Sequence, residues 1–254
     1  MRWLKRLYVA WLLRRHQIPD RLWREVAYNL VLIRRLSASD RTQLRKYATL
    51  FLYKKRFSGT WGFEVTAETN LIIALQAVLP ILELGMDAYL GWSEVIVYPG
   101  AFRVTRELQD ASGVVHLQDQ ALAGESWSRG PVILSWSEVE EDMLNPVSGR
   151  NVVIHEFAHK LDALNGRTNG MPPLHPDMEV SEWSEILGSA YSRLQQSIEA
   201  NGRGGIDAYA ATDPAEFFAV ISEYFFSAPQ TLFDIYPRVY EQMSRYYRQQ
   251  PLLR

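Results

Sequence analysis

The sequence predicts a mostly helical α+β fold with one small sheet, and three observations lead to this prediction. Apolar residues at helical spacing run through most of residues 1–84 and again from about residue 148 onward. Short runs rich in β-branched and aromatic residues lie between these two parts, and such runs are typical of strands. The chain shows no internal repeat. Helices, then a small sheet, then further helices favour one α+β unit.

The composition is that of a folded globular protein. The chain has 254 residues, of which 47% are hydrophobic and 22% are charged, so disordered and fibrous proteins are excluded. It contains no cysteine, which excludes disulfides, thiolate nucleophiles, iron–sulfur clusters and cysteine-based zinc sites. A bound metal would therefore need His, Asp, Glu or Tyr as ligands. The lack of cysteine also fits a cytoplasmic location.

Charge is distributed unevenly along the chain. Residues 1–60 contain 15 lysines and arginines and three acidic residues, a net charge of +12. The remaining 194 residues contain 12 basic and 26 acidic residues, a net charge of −14. The two parts could attract each other on folding, or the basic part could meet a membrane or an acidic partner. We favour the first interpretation, because charge asymmetry alone only suggests such partners.

The first predicted helix is basic and amphipathic. Its apolar stripe consists of Trp3, Leu4, Leu7, Tyr8, Trp11 and Leu12. The run from Leu7 to Leu13 is at the lower limit for a signal sequence, and no small-residue cleavage site follows it. Such a helix can make peripheral membrane contact through residues 1–16. Docking on the protein itself is the commoner outcome, and we favour it.

Three more helices are predicted before the sheet. They cover about 20–35, about 40–55 with Ser39-Asp40 as N-cap, and Thr66 to Leu84 with a kink near Pro80. The apolar part of the last one, Leu71 to Leu84, is 14 residues long. A bilayer span needs about 20 residues, so this segment is expected to be a buried helix.

The predicted strands and the last loop follow from local composition. The strands are Glu94–Tyr98, Pro131–Trp136 and, more weakly, Val114–Leu117. Segment 165–177 is rich in glycine and proline and is expected to be a loop. Strand 131–136 is also a candidate edge strand for an extended peptide.

The segment that carries chemistry contains His155-Glu156-x-x-His159 on a predicted helix, capped by Ser148 and stopped by Asn165-Gly166. Two imidazoles one turn apart share a face and can bind one zinc ion. Glu156 lies about 100° further round the helix and can accept a proton from metal-bound water. The alternative is two core histidines beside an unrelated glutamate. That arrangement buries polar groups without a shared ligand, which is costly.

A catalytic zinc site needs a third protein ligand. The metzincin pattern is excluded, because Asn165 replaces its third histidine and Asp162 replaces its glycine. A downstream carboxylate, as in gluzincins, is then expected. The candidates are Glu179, Glu182, Glu185, Glu199, Glu216 and Glu223, with His175 as an outsider. Asp162 is a candidate for supporting a ligand histidine, although a solvated surface acid is an equal alternative.

Glu216 and Glu223 are the best of these candidates. They lie seven residues apart on one face of a strongly apolar helix that begins at Asp213-Pro214. Carboxylates in such a place need cations, and one could bind the metal while the other orients an imidazole. We favour Glu216 as the ligand. The alternative role for Glu216 is an ordinary capping box.

At these residues the chain resembles the Mlc titration factor A family of zinc peptidases. The resemblance rests on residues 155–162 and 206–229, is supported by 79–85 and 97–102, and extends from about residue 40 to the end. Residues 1–30 are expected to have no counterpart. The family is similar in its catalytic core to the anthrax lethal factor protease. The resemblance implies His155, His159 and Glu216 as zinc ligands, Glu156 as general base and Tyr209 as an oxyanion-stabilising group. It also implies binding of a glucose-responsive transcriptional repressor, which would keep that repressor from DNA.

These observations together predict a cytoplasmic zincin-like, gluzincin-type metallopeptidase that uses Zn²⁺ to cleave peptides, with aminopeptidase-like activity as one form of this reaction. We expect a basic helical region at 1–60 and the catalytic domain at 61–254, folded together as one compact unit. The expected partners are a peptide substrate and the repressor protein, with no direct binding to nucleic acid. The alternative is a regulatory protein that sequesters a repressor and has only weak or incidental peptidase activity.

Overall fold

The computed structural model describes residues 2–100, 105–109, 115–119, 130–202 and 204–254. The helices before the main sheet are α1 (Arg2–Arg15), α2 (Asp20–Asn29), α3 (Val31–Arg34), α4 (Ala38–Lys54) and α5 (Ala67–Val78). The strands are β1 (Arg56–Gly59), β2 (Glu94–Tyr98), β3 (Thr105–Gln109), β4 (Val115–Asp119) and β5 (Val132–Ser135). The helices that follow are α6 (Trp136–Leu144), α7 (Val152–Asp162), α8 (Val180–Asn201), α9 (Pro214–Ser227), α10 (Pro229–Ile235) and α11 (Pro237–Tyr247).

The main sheet has three parallel strands in the order β1-β2-β5. Phe57 is paired with Val95, and Val95 with Val132, so the buried side chains of β2 and β5 share one face. Strands β3 and β4 form a separate antiparallel pair. The mostly helical α+β prediction is confirmed, as are strands near 94–98, 115–117 and 132–135. Strand β1 was not predicted, because Arg-Phe-Ser-Gly is too short and too polar to show a period.

Helix α1 corrects the prediction about its apolar stripe. Of the six stripe residues, only Leu12 is buried, at 1% exposure. Val9 and Leu13, on the other side of the helix, are partly buried and pack against the core with it. The reason is geometric: α1 contacts α4, and Val9, Leu12 and Leu13 are the α1 residues that pack against the core. The stripe from Trp3 to Trp11 therefore faces solvent within the described part of the chain.

Two helices before β1 also differ from the predictions. The helix expected over 20–35 is divided into α2 and α3 by Leu30, which has extended backbone angles. Helix α4 is capped by Ser37, whose Oγ accepts a hydrogen bond from Asp40 N at 3.1 Å, and not by Ser39-Asp40. Ser37 fits because it lies three residues before that N–H, the usual spacing for an N-cap.

Helix α5 begins as predicted at Thr66, whose Oγ1 accepts from Thr69 N. It ends at Val78 and does not continue to Leu84 with a kink. Proline at position 80 has no N–H to extend the helix. The carbonyl oxygens of Leu79 and Pro80 instead accept hydrogen bonds from Gln249 Nε2. Helix α6 was not predicted, since its nine residues contain five acidic or polar ones in a weak pattern.

One buried cluster joins the N-terminal helices to the rest of the described chain. It includes Ile33, Phe51, Ile73, Phe157 and Phe225, each fully buried. The division at residue 60 stays a prediction. Helix α7 packs against α5, α9 and β5, so the histidine-bearing helix is held by close-packed neighbours. None of the described helices is both long enough and apolar enough to span a bilayer.

Candidate metal centre

The N-terminus of α7 is fixed by hydrogen bonds that its backbone N–H groups donate to side-chain oxygens. Asn151 is the N-cap, and its Oδ1 accepts from Ile154 N at 2.9 Å. Asp142 Oδ2 accepts from Val152 N at 2.6 Å. The predicted cap, Ser148, lies outside the helix and accepts from Arg150 N. Asn151 has the better position, because it immediately precedes the first helical residue.

Asn151 also connects α7 to α5. Its Nδ2 donates to Gln76 Oε1 at 2.6 Å, and both residues are buried. One signal for this contact is present in the sequence: Gln76 is a single polar residue within the apolar run from Leu71 to Leu79. Asn151, Gln76 and Asp142 are the supporting residues that the sequence analysis did not identify.

The C-terminal end of α7 is as predicted. A short 3₁₀ turn covers 163–165, and Gly166 has the left-handed φ of +88°. Asp162 is fully buried, so the surface-acid alternative is wrong. Its Oδ2 accepts from Gly170 N at 2.8 Å, and burial raises its pKa to about 6. Asp162 therefore holds the loop that follows the histidine-bearing helix.

Three candidate ligand atoms meet where α7 faces α9. His155 Nε2 lies 3.2 Å from His159 Nε2 and 3.0 Å from Glu216 Oε2. His159 Nε2 lies 3.4 Å from the same oxygen. The candidate ligand atoms of the three residues all fall within 4.8 Å of one another. Helix α9 presents Glu216 from its first turn, where Asp213 Oδ1 accepts from Ala215 N and Glu216 N.

Glu223 fixes the orientation of His155. Glu223 Oε1 is 2.7 Å from His155 Nδ1, and Glu223 Oε2 accepts from Asn151 N at 2.5 Å. An ionised carboxylate can only accept, so His155 Nδ1 carries the proton. His155 Nε2 is then the ring nitrogen that faces His159 and Glu216. The two carboxylates on α9 therefore have different places: Glu216 is among the converging atoms, and Glu223 is behind the first histidine.

The converging atoms fit a cation. Glu216 is 3% exposed, and its Oε2 is buried without a hydrogen-bond partner. Burial opposes ionisation of Glu216, but the adjacent His155 and His159 hold its pKa below its usual range. Burial likewise opposes a charge on His155, but Glu216 and Glu223 outweigh this and raise its pKa well above its usual value. A buried carboxylate beside two imidazoles is costly unless positive charge lies among them, and a divalent cation can supply this charge in place of a proton on His155.

Glu156 and Tyr209 flank this group. Burial raises the pKa of Glu156, although His155 and His159 act in the opposite direction. The Tyr209 ring centroid lies 6.0 Å from that of His155, and the tyrosine is 40% exposed. Burial, together with the charges of Glu216 and Glu156, raises the pKa of Tyr209. Its phenol therefore stays protonated and can donate a hydrogen bond.

The other candidate ligands lie elsewhere. Glu182 pairs with Arg245 at 2.8 Å, and Glu185 lies 3.9 Å from Arg238. His175 Nε2 is 2.8 Å from the carbonyl oxygen of Tyr246. Glu179 and Glu199 are exposed. Of the seven candidates for the third ligand, all within the described residues, the structure brings Glu216 and Glu223 to the histidine pair.

Comparison with known proteins matches the chain to one family and to several relatives. The profile of the family described as glucose-regulated metallo-peptidase M90 matches residues 1–248. Mlc titration factor A of Escherichia fergusonii is 42% identical over 234 residues, which cover 91% of this chain and 87% of that protein. Mlc titration factor A of Enterobacter sp. (strain 638) is 41% identical over 241 residues, covering 93% and 89%.

These matches confirm the resemblance and correct its extent. Because the family profile begins at residue 1, the expectation that similarity starts near residue 40 and leaves 1–30 without a counterpart is wrong. The quoted motifs all lie at or after residue 79, so they gave no information about the similarity of the basic region.

Proposed function

The chain belongs to the glucose-regulated metallo-peptidase M90 family, and we propose that it is a zinc-dependent peptidase whose metal is held by His155, His159 and Glu216. The observation that carries this proposal is that two imidazole nitrogens, each partly buried, and one buried carboxylate oxygen lie within 4.8 Å of one another. Two histidines and one glutamate are the donor set of a major class of catalytic zinc sites. Two imidazoles also favour zinc over magnesium or calcium, which prefer oxygen ligands.

The metal and the side chains around it would contribute differently to the reaction. When bound, zinc supplies Lewis acidity, which lowers the pKa of water to about 7 and polarises a peptide carbonyl. Glu156 accepts the proton of the attacking water and returns it to the amine of the leaving fragment. Its raised pKa suits both steps, because a general acid and base works best when its pKa approaches the working pH.

Tyr209 and Glu223 assist in different ways. The protonated phenol of Tyr209 donates a hydrogen bond to the substrate oxygen as negative charge develops there. Glu223 keeps the proton of His155 on Nδ1, so that Nε2 is available as a ligand.

The substrate is a peptide, as membership of a peptidase family implies. Strand β5 is an edge strand of the described three-stranded sheet, and it packs against α7. An extended peptide can add to such an edge through main-chain hydrogen bonds. An amino-acid anilide, which reports aminopeptidase-like cleavage, and an internally quenched peptide are suitable probes of the activity.

Metal analysis tests the proposal most directly. The wild-type protein, purified without chelator, is expected to contain about one zinc ion per chain. The Glu216→Ala variant is expected to lose most of it, and Glu182→Ala, which removes a glutamate paired with Arg245, is expected to keep it. Equal zinc contents in the wild type and Glu216→Ala would remove Glu216 from the ligand set.

Repressor binding is a second candidate function. The similar proteins are named Mlc titration factor A, and the similarity covers at least 91% of this chain. The chain would then bind and sequester a glucose-responsive transcriptional repressor in the cytoplasm, a location in keeping with its lack of cysteine. The Glu156→Gln variant separates the two functions, because it should still retain the repressor in a pull-down while hydrolysis is lost.

A further inference from the structure

Helix α1 has two apolar sides, and the described part of the chain covers only one of them. Leu12 is 1% exposed and packs on the core. On the other side, five large apolar residues are at least half exposed. We call them the α1 stripe: Trp3 (68%), Leu4 (61%), Leu7 (51%), Tyr8 (51%) and Trp11 (51%).

The stripe is continuous along about two and a half helical turns. Trp3, Leu7 and Trp11 follow one another at steps of four residues, which places them on one line of the helix surface. The rings of Tyr8 and Trp11 lie side by side, with centroids 6.1 Å apart and planes inclined by 20°. Single exposed apolar residues are ordinary, but a contiguous patch of this kind marks an interaction surface.

The charge of the same region narrows the choice of partner. Helix α1 contains five basic residues and no acidic one. Arg14 and Arg15 end the helix and are exposed, and the Arg15 guanidinium lies 5.9 Å from the centroid of the Trp11 ring. The surrounding segment 1–60 has a net charge of +12. A partner with dense negative charge complements this surface, whereas a second copy that met α1 with its own α1 region would bring +12 against +12.

Two tryptophans, a tyrosine and two leucines beside basic residues are the composition of helices that lie in a membrane interface. We propose that α1 binds the surface of an anionic lipid bilayer, with the α1 stripe inserted among the headgroups and the arginines on the lipid phosphates. The helix lies on the bilayer and does not cross it, because its 14 residues fall short of the roughly 20 that a span requires. This inference does not depend on the proposed peptidase activity.

Vesicle flotation with the full chain tests the proposal. The wild type is expected to float with vesicles of phosphatidylcholine and phosphatidylglycerol in a 3:1 ratio at low salt, and to bind pure phosphatidylcholine vesicles at least 10-fold less. The double variant Trp3→Ala/Trp11→Ala is expected to lose at least 10-fold of the binding to the anionic vesicles. Trp61→Ala is the matched control, since Trp61 is 75% exposed but lies at the turn after β1, and it should bind like wild type.

A charge variant and a folding control complete the experiment. Arg14→Glu/Arg15→Glu is expected to weaken binding to the anionic vesicles as strongly as the tryptophan variant. Circular dichroism should show unchanged melting for both variants, because the replaced side chains are exposed. High salt should weaken wild-type binding to the anionic vesicles, because the Debye screening length for charge interactions falls to about 3 Å at 1 M ionic strength.

Four outcomes would overturn the proposal. They are no flotation with either vesicle, equal binding to neutral and anionic vesicles, equal binding by the wild type and the Trp3→Ala/Trp11→Ala variant, and a concentration-dependent dimer that requires Trp3 and Trp11 without any vesicle binding. The last would assign the stripe to a second copy of the chain. Retention of a purified acidic protein in place of vesicles would likewise assign it to a protein partner.

Discussion

His155 Nδ1 lies 2.7 Å from Glu223 Oε1, although 68 positions separate the two residues in the sequence. This contact sets which nitrogen of His155 carries the proton and so makes Nε2 the free atom beside Glu216. The same carboxylate also accepts from Asn151 N, at the N-terminus of the helix that bears His155. Glu223 therefore links the end of α7, its first histidine and α9.

Replacing Glu223 tests this link. The Glu223→Gln variant should bind zinc about 10- to 100-fold more weakly, because the charge that supports His155 is lost while the side-chain shape is kept. Zinc competition with a chromogenic chelator measures the affinity. Glu182→Gln is the control, as its pairing with Arg245 is remote from the histidines. An unchanged zinc affinity in Glu223→Gln would contradict the positioning role.

The Glu156→Gln variant should keep its zinc and lose hydrolysis of an amino-acid anilide or a quenched peptide. Loss of a general base typically lowers turnover by about 10²- to 10⁴-fold, and the amide cannot accept the proton. Zinc content by atomic absorption and kcat on both probes give the two readouts. Cleavage at the wild-type rate would refute the mechanism.

The Tyr209→Phe variant should lower kcat by about 10²-fold with little change in zinc content. It removes only the hydroxyl that would donate to the developing charge. Tyr28→Phe alters a tyrosine that is 70% exposed and should be without effect. If kcat stays at the wild-type value, Tyr209 is a packed aromatic residue and not an oxyanion donor.

Asp142 should make stability depend on pH. Burial raises its pKa to about 6, above the unperturbed 3.8, so the folded protein holds this proton more tightly than the unfolded chain does. Its contribution is therefore favourable at low pH and is lost as pH rises from about 4 through 6, by at most about 3 kcal/mol. Compared with Asp142→Asn, the wild type should gain stability as pH falls from 8 to 5.

Urea denaturation of both proteins at each pH, under the same metal conditions, measures this difference. Asparagine keeps an oxygen for the hydrogen bond from Val152 N, so the cap itself is retained. A stability difference that stays constant between pH 8 and pH 5 would show that Asp142 does not titrate in this range.

Gly170→Ala should destabilise the fold and loosen the metal centre. Gly170 has a φ of +74°, and a Cβ there would lie 2.3 Å from the carbonyl oxygen of Pro214, the first residue of the helix that presents Glu216. Strain and clash together should cost about 1 to 3 kcal/mol. Thermal melting and zinc affinity are the measurements.

Gly202→Ala provides the control for backbone strain. Gly202 has a similar φ of +66°, but a Cβ there would meet nothing within 4 Å. The Gly202→Ala variant should lower the melting temperature less than Gly170→Ala does, and it should leave the zinc affinity unchanged. Equal effects of the two variants on zinc affinity would show that the contact with Pro214 does not position Glu216.

The local features of the site could be predicted because they depend on neighbouring residues. His155 and His159 share a face wherever the segment is helical, and Asp213-Pro214 begins a helix by its own chemistry. The strand at 94–98 was evident for the same reason. The cap of α7 was misplaced because Ser148 and Asn151 are both good N-cap residues, and only the path of the chain before the helix selects one.

The sequence by itself determined that α5, α7 and α9 are helices, that α9 is strongly apolar, and that two histidines lie on one side of α7. The tertiary structure alone decided that Glu216 meets both histidines while Glu223 lies behind one of them, and that the stripe of α1 faces outward. These outcomes depend on how one helix is rotated and shifted against another. Helical spacing does not contain that information, because the packing of many distant side chains sets it.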